Sequence, residues 1–344
     1  MILKSILLLV SLAALWILIV LLVNRWSSAG SPALFAPRSP RPPGSTELPG
    51  VELTLLTWNI GYAGMGRESD FLADGGSQTR PLSTDLVQKN LAGITERLAG
   101  CRADLILLQE VSLPSYTTWS INVRDAVLSA RPQDWALFSP DLDTWGLPSR
   151  FAVHNGLLTL SRDEPSSFEL TELPREPYRA LAFRKSYRVT WSSHRIEGVS
   201  NELWLGHVHL AAFDDDALVR RAQLKVLIED ARQRFEDGHH VLIGGDWNLR
   251  ATEQTWPHTT DQTHLFWVHD FPRELVPDGW SLAFPDNHPT VRTAQAPFEN
   301  GSNYRTVIDG FLCSPNVDVR SVEAIDLAFE FSDHNPVRVH AILR

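Results

Sequence analysis

Asp246 and Asn248 close the apolar run "VLIGGDWNLR" at 241–250. A carboxylate and an amide suit a strand poorly, and an unpaired carboxylate is expensive to bury. Alone, the pair describes a turn, because Asp, Asn and Gly populate turns for steric reasons. Other apolar runs end in a similar way. The run at 53–60 ends with Asn59, 104–111 with Gln109-Glu110, and 203–210 carries His207 and His209 near its end. Asp309 lies in 306–313, and Asp333-His334 precede the last run. In layered α/β folds, sites form where strand ends and their loops converge. Repeated carboxylates, amides and imidazoles at such ends therefore point to a site.

A hard divalent cation takes oxygen ligands, often one or two carboxylates completed by water and substrate phosphate. Glu110 is the natural first ligand, with Asn59 as an oxygen donor beside it. An imidazole held by a carboxylate can act as general base on water, the carboxylate setting its tautomer, and His334 with Asp309 suits that pair. Asp246 and Asn248 can orient the water and bond phosphoryl oxygens. His209 can donate to developing negative charge. His207 and His209 share a strand face at i, i+2. A zinc hydrolase of HxHxDH type would need an acid and an imidazole where Leu210, Ala211 and Ala212 stand, so His207 is read as structural.

The elements that must hold these residues alternate along the chain. "VELTLLTWNI", "ADLILLQEV", "ELWLGHVHL", "HHVLIGG", "TVIDGFLCS" and "NPVRVHAIL" read as strands. "STDLVQKNLAGITERLA" sets Val87, Leu91, Ile94 and Leu98 on one helical stripe, and a second helix turns Leu224, Ile228, Ala231 and Phe235 inward. Asp214–Asp216 sit at the positive end of that second helix, where acids cap without further purpose. The class is α/β, and many of the connecting loops are long.

Ahead of this domain, Ser5–Val23 is uncharged and overwhelmingly apolar, long enough to span a bilayer, while Ser27-Ser28-Ala29 resembles a signal cleavage site. The expectation is an uncleaved signal anchor over residues 1–26, a single-pass topology and a catalytic domain outside the cytoplasm. Residues 27–50, rich in Pro, Ser and Gly, read as a semi-extended linker to one domain over 51–344. Cys101 and Cys313 have no zinc or disulfide spacing and read as small buried hydrophobes.

"TWN", "LLQEV", "GHVHL", "GGDWN", "VIDGFLCS" and "SDHNPV" occur in the order and approximate spacing of the endonuclease/exonuclease/phosphatase superfamily, which the chain resembles over about 51–344. The resemblance implies a four-layer α/β/β/α sandwich, two mixed sheets face to face with helices outside. It implies hydrolysis of phosphate esters with Mg2+ or Mn2+, as by nucleases, inositol-polyphosphate phosphatases and sphingomyelinases. Position by position, it implies metal binding by Glu110 with Asn59, and water or transition-state orientation by Asp246 and Asn248. It also implies His334 as base paired with Asp309, and His209 on the phosphate. Asp333 matches the family's acid beside the base, close to the metal. "HNGLLTLSR" at 154–162 resembles the family's Asn-Gly…Ser-Arg segment and places Asn155 and Arg162 at the substrate. The chain departs in "NYRT", where Arg305 lies upstream of the usual arginine. A Gly-rich, charged loop is inserted at 61–81, similar to one in bacterial members of unassigned substrate. Asp70, Asp74 and Arg80 are candidates there against a solvated-loop reading.

The formal net charge of −10 disfavours an open grip on nucleic acid, whose affinity rests on Lys and Arg. With the anchor, it favours a lipid headgroup or small phosphorylated substrate. A membrane-anchored endo- or exonuclease is the alternative, using a basic groove of Arg179, Arg184, Lys185, Arg188 and Arg195. A catalytically inactive binding module is a further alternative, opposed by the intact set of site residues.

Overall fold

The computed structural model describes residues 2–26, 29–39, 47, 48, 50–176, 185–212, 214 and 216–344. Among these described residues four α-helices run in chain order as α1 (Ile2–Trp26), α2 (Thr84–Gly100), α3 (Val123–Ala130) and α4 (Leu218–Glu236). The strands begin with β1 (Ala33–Phe35), β2 (Glu52–Asn59), β3 (Leu105–Ser112), β4 (Trp135–Asp143) and β5 (His154–Ser161). They continue with β6 (Ser167–Glu172), β7 (Arg188–His194), β8 (Leu203–His209), β9 (His240–Asp246) and β10 (Ser281–Ala283). The last are β11 (Val291–Arg292), β12 (Arg305–Thr306), β13 (Asp309–Cys313), β14 (Val317–Ala324) and β15 (Val337–Leu343).

One sheet has the order β1-β4-β5-β3-β2-β15-β14, the other β10-β13-β9-β8-β7-β6, and β11-β12 form a small ribbon. Both large sheets are mixed. Each contains one parallel pair, β2 with β3 and β8 with β9. Those pairs are joined through α2 and α4, so each is a βαβ unit. Alternation along the strands then builds three apolar layers. Leu56, Trp58, Ile106 and Leu108 face α2 and α3. Leu53, Leu55, Leu105 and Leu107 meet Leu205, Leu242 and Phe311 between the sheets. Val208, Val241 and Ile243 pack with Leu224, Ile228 and Ala231 of α4. The architecture is thus a four-layer α/β/β/α sandwich.

Local chemistry sets the helix starts. The Ser83 hydroxyl accepts from Leu86 N, an N-cap, and Val87, Leu91, Ile94 and Leu98 are all buried behind it. At α4 the Asp214 carboxylate accepts from Val219 N at 2.9 Å and Arg220 N at 3.3 Å. Asp216 accepts from Leu218 N, and Asp215 lies outside the described residues.

Sequence patterning leaves out β4–β7, β14 and α3. β6 and β14 lie at sheet edges and are largely exposed or half-buried, so they carry little apolar signal. Within the 27–50 segment, expected as a semi-extended linker, Ala33–Phe35 form an edge strand, β1 pairing antiparallel with β4. The segment is also held by the buried Arg188, which donates to the carbonyls of Ala29 and Gly30. His240, at the start of β9, is buried with Nε2 at 2.7 Å from the Arg344 carbonyl. Lys4–Arg25 of α1 is long and apolar enough to cross a membrane by length and composition.

Candidate active site

The inter-sheet layer is apolar along its length and polar at one end. Asn59 continues the row of Leu53 and Leu55, and His209 that of Leu203 and Leu205. Asp246 continues Leu242, and Asp309 begins the row of Phe311 and Cys313. Register brings them together: His209 pairs with Asp246, and Asp309 with Asp246. Because β2, β3, β8 and β9 end at the same edge, the carboxyl ends of both βαβ units converge there. A cavity of about 360 Å³ opens at that edge, lined among others by Asn59, Glu110, Asn155, His209, Asp246, Asn248, Asp333 and His334.

Backbone geometry aims several of these side chains. Strict alternation would send Glu110 toward the helices with Ile106 and Leu108. A register shift between Leu108 and Val111, with Glu110 at φ 57°, turns it into the cavity. Asn248 (φ 51°) and Tyr62 (φ 44°) are also left-handed, a conformation that costs free energy for non-glycine residues and clusters at functional sites. Gly245, at φ 148°, abuts the Val208 carbonyl so closely that a side chain has no room there.

His334 Nδ1 donates to Asp309 Oδ2 at 2.9 Å, leaving Nε2 facing Asp246 Oδ2 at 3.7 Å. Burial opposes charge on this ring, but Asp309, Asp246 and Asp333 outweigh it and push its pKa up to about 10. Burial, then Asp309, pushes Asp246 up to about 6. His209 is held well below the usual histidine range by burial and by Lys185. The Lys185 ammonium can only donate, so at 3.1 Å His209 Nδ1 accepts. The ring hydrogen is then on Nε2, directed at Asp246 Oδ2 (3.6 Å) and Glu110 Oε1 (3.9 Å). Asn248 N donates to Asp246 Oδ1, and its side-chain amide to the Leu210 carbonyl.

Glu110 is pushed up to about 7 by burial and by neighbouring Asp333. Glu110 and Asp333, two acids lining one cavity, fit a hard divalent cation. Asn59 departs from the oxygen-donor expectation. Its Oδ1 accepts from Gly61 N at 3.0 Å, so its NH2 faces Asp246 Oδ2 (3.0 Å) and Glu110 Oε1 (3.4 Å). Asn59 therefore orients the carboxylates through its hydrogens. Asp246, Asp309 and His334 also hold ligand-type atoms within 4.8 Å of one another. There the 2.9 Å His334–Asp309 bond fixes the orientation of the ring, with Nε2 turned toward Asp246.

Asn155 lines the cavity, with its buried Oδ1 lacking a partner. Arg162 does not reach it. β5 runs antiparallel to β3, Leu105 opposite Ser161, so the end of β5 lies at the far edge of the sheet. There Arg162 pairs with Asp104 at 3.0 Å. His207 is a core residue, accepting from Gln109 Nε2 and bonded to Thr159.

Several lining residues escaped the sequence reading. Lys185 appeared only within a basic run, and Tyr62, Trp267 and Arg292 carry no motif. The 61–81 insertion is not a solvated loop throughout. Buried Arg292 donates to the carbonyls of Gly66 and Ser69, and Asp74 reaches the cavity wall while accepting from Ala294 N. Asp70 closes its own loop on Ser77 and Gln78. Arg80 lies over the Trp119 ring. Of the basic groove that the nuclease alternative would use, Arg179 and Arg184 lie outside the described residues, Arg188 is buried, Lys185 points at His209, and Arg195 lies 4.0 Å from Glu202.

A family model described as "Endonuclease/Exonuclease/phosphatase family" matches residues 56–334. No curated protein matches the chain. Among solved structures, an endonuclease/exonuclease/phosphatase from Bacteroides vulgatus superposes with a TM-score of 0.55 at 15% identity, covering 85% of this chain and 99% of its own. One from Beutenbergia cavernae gives 0.55 at 18%, covering 85% and 72%. A humanized D. rerio TDP2 gives 0.52 at 15%, covering 84% and 98%. At these identities the likeness shows the fold.

Proposed function

Because the chain belongs to the endonuclease/exonuclease/phosphatase family, we propose that it is a metal-dependent phosphoesterase, anchored in a membrane by α1 with its 51–344 catalytic domain outside the cytoplasm. Family members are usually hydrolases acting on phosphate esters, some of them nucleases. The favoured substrate is a phosphodiester or phosphomonoester of a lipid headgroup or a small molecule. The observation that carries this reading is the convergence of His334 Nε2 and His209 Nε2 on Asp246 Oδ2, at 3.7 and 3.6 Å, beside Glu110.

His334, its tautomer set by Asp309, takes a proton from water through Nε2 once that nitrogen is free of its own hydrogen; the surrounding acids hold this hydrogen up to about pH 10 in the metal-free site, and a bound cation would offset their charge. Asp246 and the Asn248 amide group orient that water. His209, neutral and with its hydrogen on Nε2, donates to the phosphoryl oxygen as charge develops, and Lys185 holds the ring in that tautomer. Glu110 and Asp333 would hold Mg2+ or Mn2+, which when bound supplies positive charge to phosphoryl oxygen. Asn155 Oδ1, buried without a partner, is an acceptor for a substrate hydroxyl or amine.

The test assays the full chain in detergent with Mg2+, Mn2+ or EDTA against sphingomyelin, phosphoinositides, bis-p-nitrophenyl phosphate, single- and double-stranded DNA, and RNA. Metal-dependent turnover, reduced about 10²–10⁴-fold in His334→Ala, is expected, as for loss of a general base. Turnover confined to nucleic acid would favour the nuclease. A folded chain silent on every substrate would favour the binding module.

A further inference from the structure

We infer that the β4–β5 loop seats in the bilayer beside α1, so that the catalytic cavity opens onto the membrane and takes the phosphate headgroup of a lipid in that same bilayer. This rests on the anchored-phosphoesterase reading and narrows its substrate. Asn24, buried near the end of α1, is bonded twice to this loop. Its Nδ2 donates to the Trp145 carbonyl at 2.9 Å, and its Oδ1 accepts from Trp145 N at 2.7 Å. One turn deeper, Val20 packs where a Cβ on Gly146 (φ 79°) would meet it at 3.1 Å. Another turn deeper, Trp16 lies 5.5 Å from the Trp145 ring. A single helical stripe, Trp16–Val20–Asn24, thus carries the loop.

Lengths then place the loop in the membrane. Lys4–Arg25 has 22 residues, about 33 Å of helix at 1.5 Å per residue, against a hydrocarbon core of about 30 Å. With Arg25 at the headgroups, Trp16 lies about 12 Å deeper than Asn24, by the same helical rise. Trp145, whose backbone meets Asn24 and whose ring meets Trp16, therefore starts at the interfacial boundary and reaches into the adjoining leaflet. The loop is built for that level: Trp145 is 47% and Phe151 56% exposed, and the Arg150 guanidinium lies 5.0 Å above the Phe151 ring. Ser149 meets Ser120 at 3.1 Å, and Trp119 donates to Pro81, beside Leu82, which is 69% exposed. Exposed aromatic and aliphatic side chains with arginines suit the interfacial zone. The same strands lead into the site, because Leu142 and Val153, at the two ends of the loop, line the cavity with Asn155.

The test places bimane on Phe151→Cys, Ser149→Cys and, as a control on α4, Glu229→Cys. The background is full-length Cys101→Ser, in nanodiscs of phosphatidylcholine and phosphatidylglycerol brominated near the glycerol end of the acyl chains. Quenching several-fold stronger at 149 and 151 than at 229 is expected. Equal quenching in a carbonate-resistant protein would overturn the seating while leaving the anchor intact. Carbonate release of the chain would overturn the anchor and the inference with it. In a second arm, Trp145→Ala/Phe151→Ala is assayed on sphingomyelin, phosphatidylglycerol and phosphoinositide nanodiscs. Lipid turnover is expected to fall about tenfold or more, the size of losing buried aromatic anchors, with bis-p-nitrophenyl phosphate unaffected. Equal loss on both, or soluble-ester turnover with none on lipid, would overturn the lipid-substrate assignment.

Discussion

His209 and His334 lie on either side of Asp246 but serve different roles, and their partners separate them. A carboxylate on Nδ1 suits His334 to the base role proposed for it, whereas an ammonium on Nδ1 suits His209 to that of a neutral donor. His209→Ala is expected to lower kcat by about 10²–10³-fold, the range for removing one preorganised donor. Unlike His334→Ala, it should leave the rising limb of the pH–rate profile in place. Single-turnover rates across pH for both variants would separate the roles, and a lost limb in His209→Ala would refute the assignment. Lys185→Met should weaken catalysis in the same manner, because His209 Nδ1 then competes with Nε2 for the hydrogen.

At the scale of elements, α4 is tied to the catalytic loop by one side chain. Arg220 is fully buried and bonds Asp214 at 2.6 Å. It also donates to the carbonyls of Asn248 (2.6 Å) and Trp267 (2.7 Å), two residues that line the cavity. Arg220→Met would strand the Asp214 carboxylate and is expected to cost about 3–5 kcal/mol, as when one partner of a buried pair is removed. A urea-unfolding midpoint that moves accordingly, at unchanged m-value, checks this. A shift within experimental scatter would show that the pair is dispensable. Adding Asp214→Asn should restore part of the loss, since the stranded charge is gone.

The whole molecule carries the cost of its acid cluster as a pH dependence. Glu110 rises from 4.5 to about 7, Asp246 from 3.8 to about 6 and His334 from 6.5 to about 10. In each case the folded chain binds more protons than the unfolded one. Their stabilisation is therefore complete below the unfolded pKa and is lost as pH rises through the folded pKa. Metal-free protein should lose thermal stability from about pH 4 to about pH 7, where Glu110 and Asp246 ionise in the fold, and on toward pH 10 as His334 loses its proton. Mg2+ should reduce that loss, because it binds the ionised folded site, and Glu110→Gln should flatten the slope. Melting curves in EDTA and in Mg2+ would settle it, and a Tm constant or rising across this window would count against the cluster as described.

The sequence by itself determined the class of fold and that Asn59, His209, Asp246 and Asp309 continue inward-facing apolar rows. Apolar rows that end in Asn59, His209, Asp246 and Asp309 are a period-2 pattern, and period 2 fixes the sheet face without reference to anything distant. The helical stripes of α2 and α4 are local in the same sense. Tertiary structure decided the rest. Arg162 follows β5 to the wrong end of the sheet because strand direction is set by pairing with β3, which no local spacing encodes. Asn59 turns its NH2 inward because Gly61 N occupies its oxygen. Lys185 and Arg292 enter the site from outside every motif. The association of α1 with the loop at Trp145 joins residues more than a hundred positions apart. Such contacts depend on how layers and loops stack, a property of the folded chain rather than of any segment's spacing.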